Sequence, residues 1–74
     1  MQRYKNLQGS SGVRAFEIGP GYIDVAFVTG ERYRYDGGRP GAHHVEAMKA
    51  LAVAGQGLAT YINRHVRDNF AKKL

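Results

Sequence analysis

The chain has 74 residues, no cysteine and a formal net charge of +5, from eleven Lys and Arg against six Asp and Glu. That length allows one domain, and the lack of cysteine excludes a disulfide framework and any thiolate metal site. No stretch approaches the ~20 apolar residues of a transmembrane helix, and no apolar run of signal-peptide length follows Met1-Gln2-Arg3-Tyr4-Lys5. A cytoplasmic protein without a membrane partner is therefore expected.

In chain order, residues 1–12 read as an N-terminal tail ending in a turn. Gln8-Gly9-Ser10-Ser11-Gly12 is a run of turn formers, and only Tyr4 and Leu7 offer apolar anchors. The single domain is predicted over residues 13–74.

From residue 13 to residue 36 the apolar period is two, which predicts strands. In the first strand Arg14, Phe16 and Ile18 share one face, and Val13, Ala15 and Glu17 share the other. Gly19-Pro20-Gly21 breaks the run, since Pro20 donates no ladder hydrogen bond. The second strand, 22–28, sets Ile23, Val25 and Phe27 against Tyr22, Asp24, Ala26 and Val28. Thr29-Gly30-Glu31 supplies a hairpin turn. The third strand, 32–36, alternates arginine and tyrosine as Arg32-Tyr33-Arg34-Tyr35-Asp36.

Beyond Gly37-Gly38-Arg39-Pro40-Gly41 the period becomes helical. Val45, Met48, Leu51 and Ala52 mark a helix of about three turns, ended by Gly55-Gln56-Gly57. Leu58, Tyr61, Ile62, His65, Val66, Asn69 and Phe70 follow at i, i+3, i+4, i+7, i+8, i+11 and i+12, a second helix with Lys72-Lys73 at its C-terminus. The predicted fold class is α+β: a three-stranded antiparallel β-meander with two C-terminal helices packed on one of its faces.

Parity assigns the faces of the sheet. Asp24 marks the solvent side of the second strand, so Ile23, Val25 and Phe27 face the core, as do Phe16 and Ile18. In the third strand Tyr33 and Tyr35 point inward, because Arg32 and Arg34 cannot both be buried. Arg32 and Arg34 then share the open face with Tyr22, near Asp24 and Glu17. On this reading Tyr33→Ala costs stability, whereas Arg34→Ala leaves the fold intact.

Ser10-Ser11 before the first strand, Ile18-Gly19 at its end, and Phe27-Val28-Thr29-Gly30 leading to Tyr33-Arg34-Tyr35 form an ordered series. It continues with the helix through Met48 and Leu51, then Gly57, Tyr61-Ile62-Asn63 and His65-Val66. Over residues 10–70 this series resembles the KTSC domain, a small domain named for the C-terminus of some lysyl-tRNA synthetases and also found alone in bacteria. The Gly-rich link after Tyr35 and the place of Gly57 mark a divergent, stand-alone member. What the resemblance implies is RNA binding, as suggested for that family.

Other chemistry finds little footing. His43 and His44 are adjacent and diverge by about 100° on a helix, so they do not chelate one ion as an i, i+4 pair would; no metal is expected. Ser10, Ser11 and Thr60 lack an activating base and orienter. Glu17, Asp24, Glu31 and Asp36 do not converge as an acid–base pair. No enzyme and no cofactor are therefore expected. The 37–41 loop lacks the Gly-Lys-Ser/Thr ending of a phosphate loop and reads as a connector.

The functional expectation is a non-catalytic nucleic-acid-binding module for RNA. Arg32, Arg34, Arg39, Arg64 and Arg67 would meet phosphate in one basic strip, and Tyr22 or Tyr33 would stack on bases. Arg64 and Asp68, spaced i, i+4, could instead pair on a solvated surface. The alternative is a protein-interaction or homodimerisation module using an exposed edge strand.

Overall fold

In the computed structural model, which describes all residues Met1–Leu74, short turns lay the strands side by side. Pro20-Gly21, with Gly21 at φ +74°, joins β2 (Val13–Gly19) to β3 (Tyr22–Phe27), and a second turn leads to β4 (Arg32–Asp36). Two further strands flank these three: β1 (Gln2–Arg3) pairs with β2, and β5 (Lys72–Lys73) pairs with β4. The sheet is antiparallel throughout, in the order β1-β2-β3-β4-β5. It thus has five strands rather than the expected three. Each added strand has two residues, too few to carry a period.

The N-terminal segment is part of the fold rather than a tail. Its Tyr4 is 3 % exposed and belongs to the hydrophobic core, and the Tyr4 hydroxyl accepts the backbone N–H of Leu58 at 3.3 Å. The N–H of Leu7 donates to the Gly55 carbonyl at 2.8 Å. Gly55 ends the first helix in the left-handed conformation, φ +79°, and a Cβ there would lie 2.7 Å from the Lys5 Cβ. Glycine is therefore required both by conformation and by close approach.

A β-bulge shifts the face assignment in β2. Val13 pairs with Phe27 and Ala15 with Ala26, so Arg14 is the extra residue. Val13 and Phe16, three positions apart, are thereby both buried on the core face, and Arg14 turns out with the solvent face. Ile18 keeps the expected side opposite Ile23, but at the end of the sheet it stays 41 % exposed.

The core face is covered by α1 (Ala42–Ala54), α2 (Leu58–Tyr61) and a π-helical turn, Ile62–Val66, that continues α2. Val45, Met48, Ala52, Leu58, Ile62 and Val66 bury against Val13, Phe16, Ile23, Val25 and Tyr35. A fully buried aliphatic or aromatic side chain contributes about 1.5–3 kcal/mol relative to exposure. The second helix is shorter than the apolar stripe predicts. The Arg67 N–H donates to the Ile62 carbonyl at 2.6 Å, Arg67 takes φ +42°, and the chain leaves the helix there. Phe70 still packs against the core, but from the return segment.

That return segment closes the outer edge of β4. The Ala71 and Leu74 N–H groups donate to the Arg34 and Arg32 carbonyls at 2.7 and 2.8 Å. Lys72-Lys73, expected at a helix C-terminus, is thus an edge strand. Both sheet edges are two residues long, a length that resists edge-to-edge pairing. No helix is long and apolar enough to cross a membrane.

Candidate nucleic-acid interface

Opposite the helices, register arranges the side chains of the open sheet face in rows. One row runs Arg3, Ala15, Ala26, Arg32; the next runs Glu17, Asp24, Arg34, Lys72; the third holds Gly19, Tyr22 and Asp36. Arg14 joins this side at the bulge. Arg3 and Arg32 stand three strands apart, roughly 14 Å at the spacing of paired strands, across a floor of two alanines. Ala26 is 0 % exposed.

Of the expected phosphate ligands, Arg34 is the most constrained. Its Nε and one terminal nitrogen donate to the two Asp24 carboxylate oxygens at 2.7 and 2.9 Å, and its guanidinium lies 4.1 Å from the Tyr22 ring centre. Hydrogen bonding to Asp24 pushes the Arg34 pKa further up. Tyr22 is equally fixed: its ring lies over Gly19, where a Cβ would fall 2.2 Å from ring atoms. These contacts reverse the expectation that Arg34 is dispensable to the fold. Removing the guanidinium strands the Asp24 carboxylate in a nearly buried site. Arg34→Gln should lower the melting temperature by several degrees, and adding Asp24→Asn should restore most of it. Equal melting of Arg34→Gln and wild type in a thermal scan would contradict this account.

Arg3, Arg14, Arg32 and Lys72 are exposed and engaged in no ion pair. They are the free cations of this face, and they gather toward the end that carries the β3–β4 turn. Of the open-face acids, Asp24 is neutralised by Arg34, Asp36 is spent on its own loop, and Glu17 is exposed with only the N-terminal amine near it, at 4.0 Å. Asp36 Oδ1 accepts the Gly38 and Arg39 N–H groups at 2.9 and 3.0 Å. The same bonds fill the loop amides that would otherwise cradle an anion, so residues 37–41 form a bonded turn.

The remaining predicted residues lie elsewhere, and the single basic strip does not form. Arg39 Nε donates to Asn69 Oδ1 at 3.0 Å. Arg64 is exposed on the π-helical turn and makes no ion pair with Asp68, because the chain leaves helical geometry at Arg67. Tyr33 faces the helical side, 4.5 Å from Phe70 between ring centres and 6.0 Å from Phe27. Its hydroxyl donates to Glu31 Oε2 at 2.8 Å, which raises the Tyr33 pKa and lowers that of Glu31. Tyr33 and Arg67 line a cleft of about 380 Å³ there. Sequence reasoning missed Arg3, Arg14 and Lys72 as members of the open face. Only Arg14 carried a signal, the three-residue spacing of Val13 and Phe16 that marks a bulge.

His44 Nδ1 and the Tyr61 hydroxyl are 2.7 Å apart, and His65, exposed rather than packed in the core, stacks on Tyr61 at 4.5 Å. No group of three or more His, Asp or Glu residues is arranged to hold a metal ion.

Burial pushes the Tyr35 hydroxyl up to about 12, with Tyr33 and Asp68 adding to the effect. A phenol with a folded pKa above its unfolded value stabilises the fold at lower pH, and that stability is lost as pH rises from about 10 through 12. Melting curves between pH 9 and 12 should therefore fall less steeply for Tyr35→Phe than for wild type.

Comparison of the chain with protein-family models, with curated proteins and with solved structures finds no match.

Proposed function

We propose that this chain is a small, non-catalytic RNA-binding module whose open sheet face takes a single strand across its arginine-rich end. The observation that carries the reading is the placement of Arg3, Arg14, Arg32 and Lys72, four cations on one face engaged in no ion pair, where Asp24 and Asp36 are bonded within the chain and Glu17 is the one exposed acid. Cations spaced over a flat floor suit a flexible phosphate backbone, which binds through charge without a deep pocket. The resemblance to the KTSC domain points the same way. Arg32 keeps the phosphate role expected from the sequence, Arg34 and Tyr22 become the scaffold beneath it, and Arg39, Arg64 and Arg67 lie off this surface. A homodimer or protein partner built on a strand edge has little to use, since both edge strands are two residues long.

An amide NMR titration with tRNA and with single-stranded RNA at low and moderate salt tests the proposal. Shifts centred on residues 3, 14, 26 and 32 that fade as salt rises are expected. Absence of any shift at low salt would remove it.

A further inference from the structure

The cleft behind Tyr33 has features that the open face does not explain. Its volume of about 380 Å³ falls inside the range of ligand pockets, ~300–1,000 Å³. Phe27, Tyr33, Tyr35, Ile62 and Phe70 form its apolar walls. Tyr35 is 1 % exposed as a residue, and its hydroxyl, like that of Tyr22 on the open face, has no partner in the chain, whereas those of Tyr4, Tyr33 and Tyr61 are bonded. No buried side-chain polar atom in the chain lacks a partner, so this unbonded hydroxyl is open to the cleft and available to a ligand there. Three more polar side chains on the lining, the Asn63 amide, the Arg67 guanidinium and the Asp68 carboxylate, are exposed at its mouth and bonded to no other side chain. Glu31, by contrast, is already bonded to Tyr33 and Thr29 and paired with Lys73.

These groups narrow the ligand. A simple anion would meet Asp68. A cation would meet Arg67, and the cation position at the aromatic wall is filled by Lys73, whose Nζ lies 5.9 Å from the Tyr33 ring centre and 3.6 Å from Glu31. A flat neutral ring carrying both donors and acceptors suits walls of aromatic rings edged by a carboxylate, an amide, a guanidinium and a hydroxyl. Among nucleobases, guanine alone offers two adjacent N–H donors beside an acceptor oxygen. A carboxylate can accept both donors, and an amide or guanidinium can donate to guanine O6 or N7.

We propose that the cleft binds one unstacked guanine base, with Asp68 accepting from its paired N–H groups, Asn63 or Arg67 donating to its acceptor edge and Tyr35 bonding at the floor. This rests on the RNA-binding reading for the source of the base, a nucleotide of the bound strand, and adds base selectivity to a surface that otherwise reads only charge.

The test is a titration of the full chain with the four ribonucleoside 5′-monophosphates, which share a phosphate and differ in the base. Aromatic and amide NMR signals report the site. Guanosine monophosphate should shift the Tyr33, Tyr35 and Phe70 ring signals and the Asn63 side-chain amide, and should bind most tightly. Asp68→Asn should weaken it about tenfold or more, as expected for a bond to a charged group. Tyr35→Phe, which removes only the free hydroxyl, should weaken it several-fold; both changes leave the buried packing in place. Equal affinity for all four monophosphates, shifts confined to Arg3, Arg14 and Arg32, or binding indifferent to both variants would each overturn the proposal. A single-stranded RNA arm separates the two readings. Strand binding without guanosine monophosphate in the cleft defeats this inference alone. Guanosine monophosphate in the cleft without strand binding defeats the RNA reading and leaves a mononucleotide site.

Discussion

Tyr4→Ala should cost about 3–5 kcal/mol, the range for truncating a buried aromatic side chain to alanine. A chain of this length has roughly 4–11 kcal/mol of stability at ~0.05–0.15 kcal/mol per residue, so the change removes a large fraction of it. Tyr4 packs among the core residues, and its hydroxyl accepts the first free N–H at the start of α2. Gly57, the residue before α2, provides no side-chain cap, so the loss uncovers a helix end as well as a cavity. Tyr4→Phe separates the two effects and should cost about 1 kcal/mol, the net worth of one hydrogen bond. Leu7→Ala in the same segment is the control: Leu7 is exposed, and surface substitutions usually stay within about 0.5 kcal/mol. Urea unfolding followed by circular dichroism measures all three. If Tyr4→Ala and Leu7→Ala unfold at the same urea concentration, the N-terminal segment is a tail after all.

Why this segment was hidden in the sequence is a matter of period. The three central strands and α1 showed themselves because alternation or a 3.6-residue stripe repeats within each. A two-residue strand repeats nothing, so Gln2–Arg3 and Lys72–Lys73 reveal themselves only when the neighbouring strand offers an unpaired edge. The second helix was over-extended for a related reason. Phe70 continues the apolar stripe in register, but it does so from a segment that has already turned back toward β4. A stripe reports which residues are buried, not which element carries them.

The candidate surface was legible to the same degree. Parity in β4 sets Arg32 and Arg34 apart from Tyr33 and Tyr35, and the structure keeps that division. Parity is silent on competition between neighbours, however. Asp24 lies opposite Arg34 in register, so the more central arginine is consumed as structure and the outer one stays free. Arg3, Arg14 and Lys72 then complete the face from an edge strand, a bulge and a second edge strand, each a feature without a repeating signature.

The quadruple variant Arg3→Gln, Arg14→Gln, Arg32→Gln, Lys72→Gln should nearly abolish binding of a uridine-only single strand while leaving the fold stable. Each side chain is exposed and free of ion pairs, so little is lost from the folded state. For single strands the logarithm of affinity falls with the logarithm of salt by about 0.7 for each phosphate neutralised. Four lost contacts should therefore flatten the salt slope by about 2.8 and reduce affinity several hundredfold at ~0.1 M salt. Net charge alone would also fall, from +5 by four units, and a diffuse attraction would weaken too. The comparator is Arg39→Gln, Arg64→Gln, Arg67→Gln, which removes three charges from the other surfaces. A uridine strand is used so that the cleft lined by Arg67 does not contribute. If binding depends on position, the comparator keeps a near wild-type slope while the open-face variant loses most of it. If the two variants weaken in proportion to the charge removed, the open face is not an interface and the chain attracts nucleic acid only as a basic body.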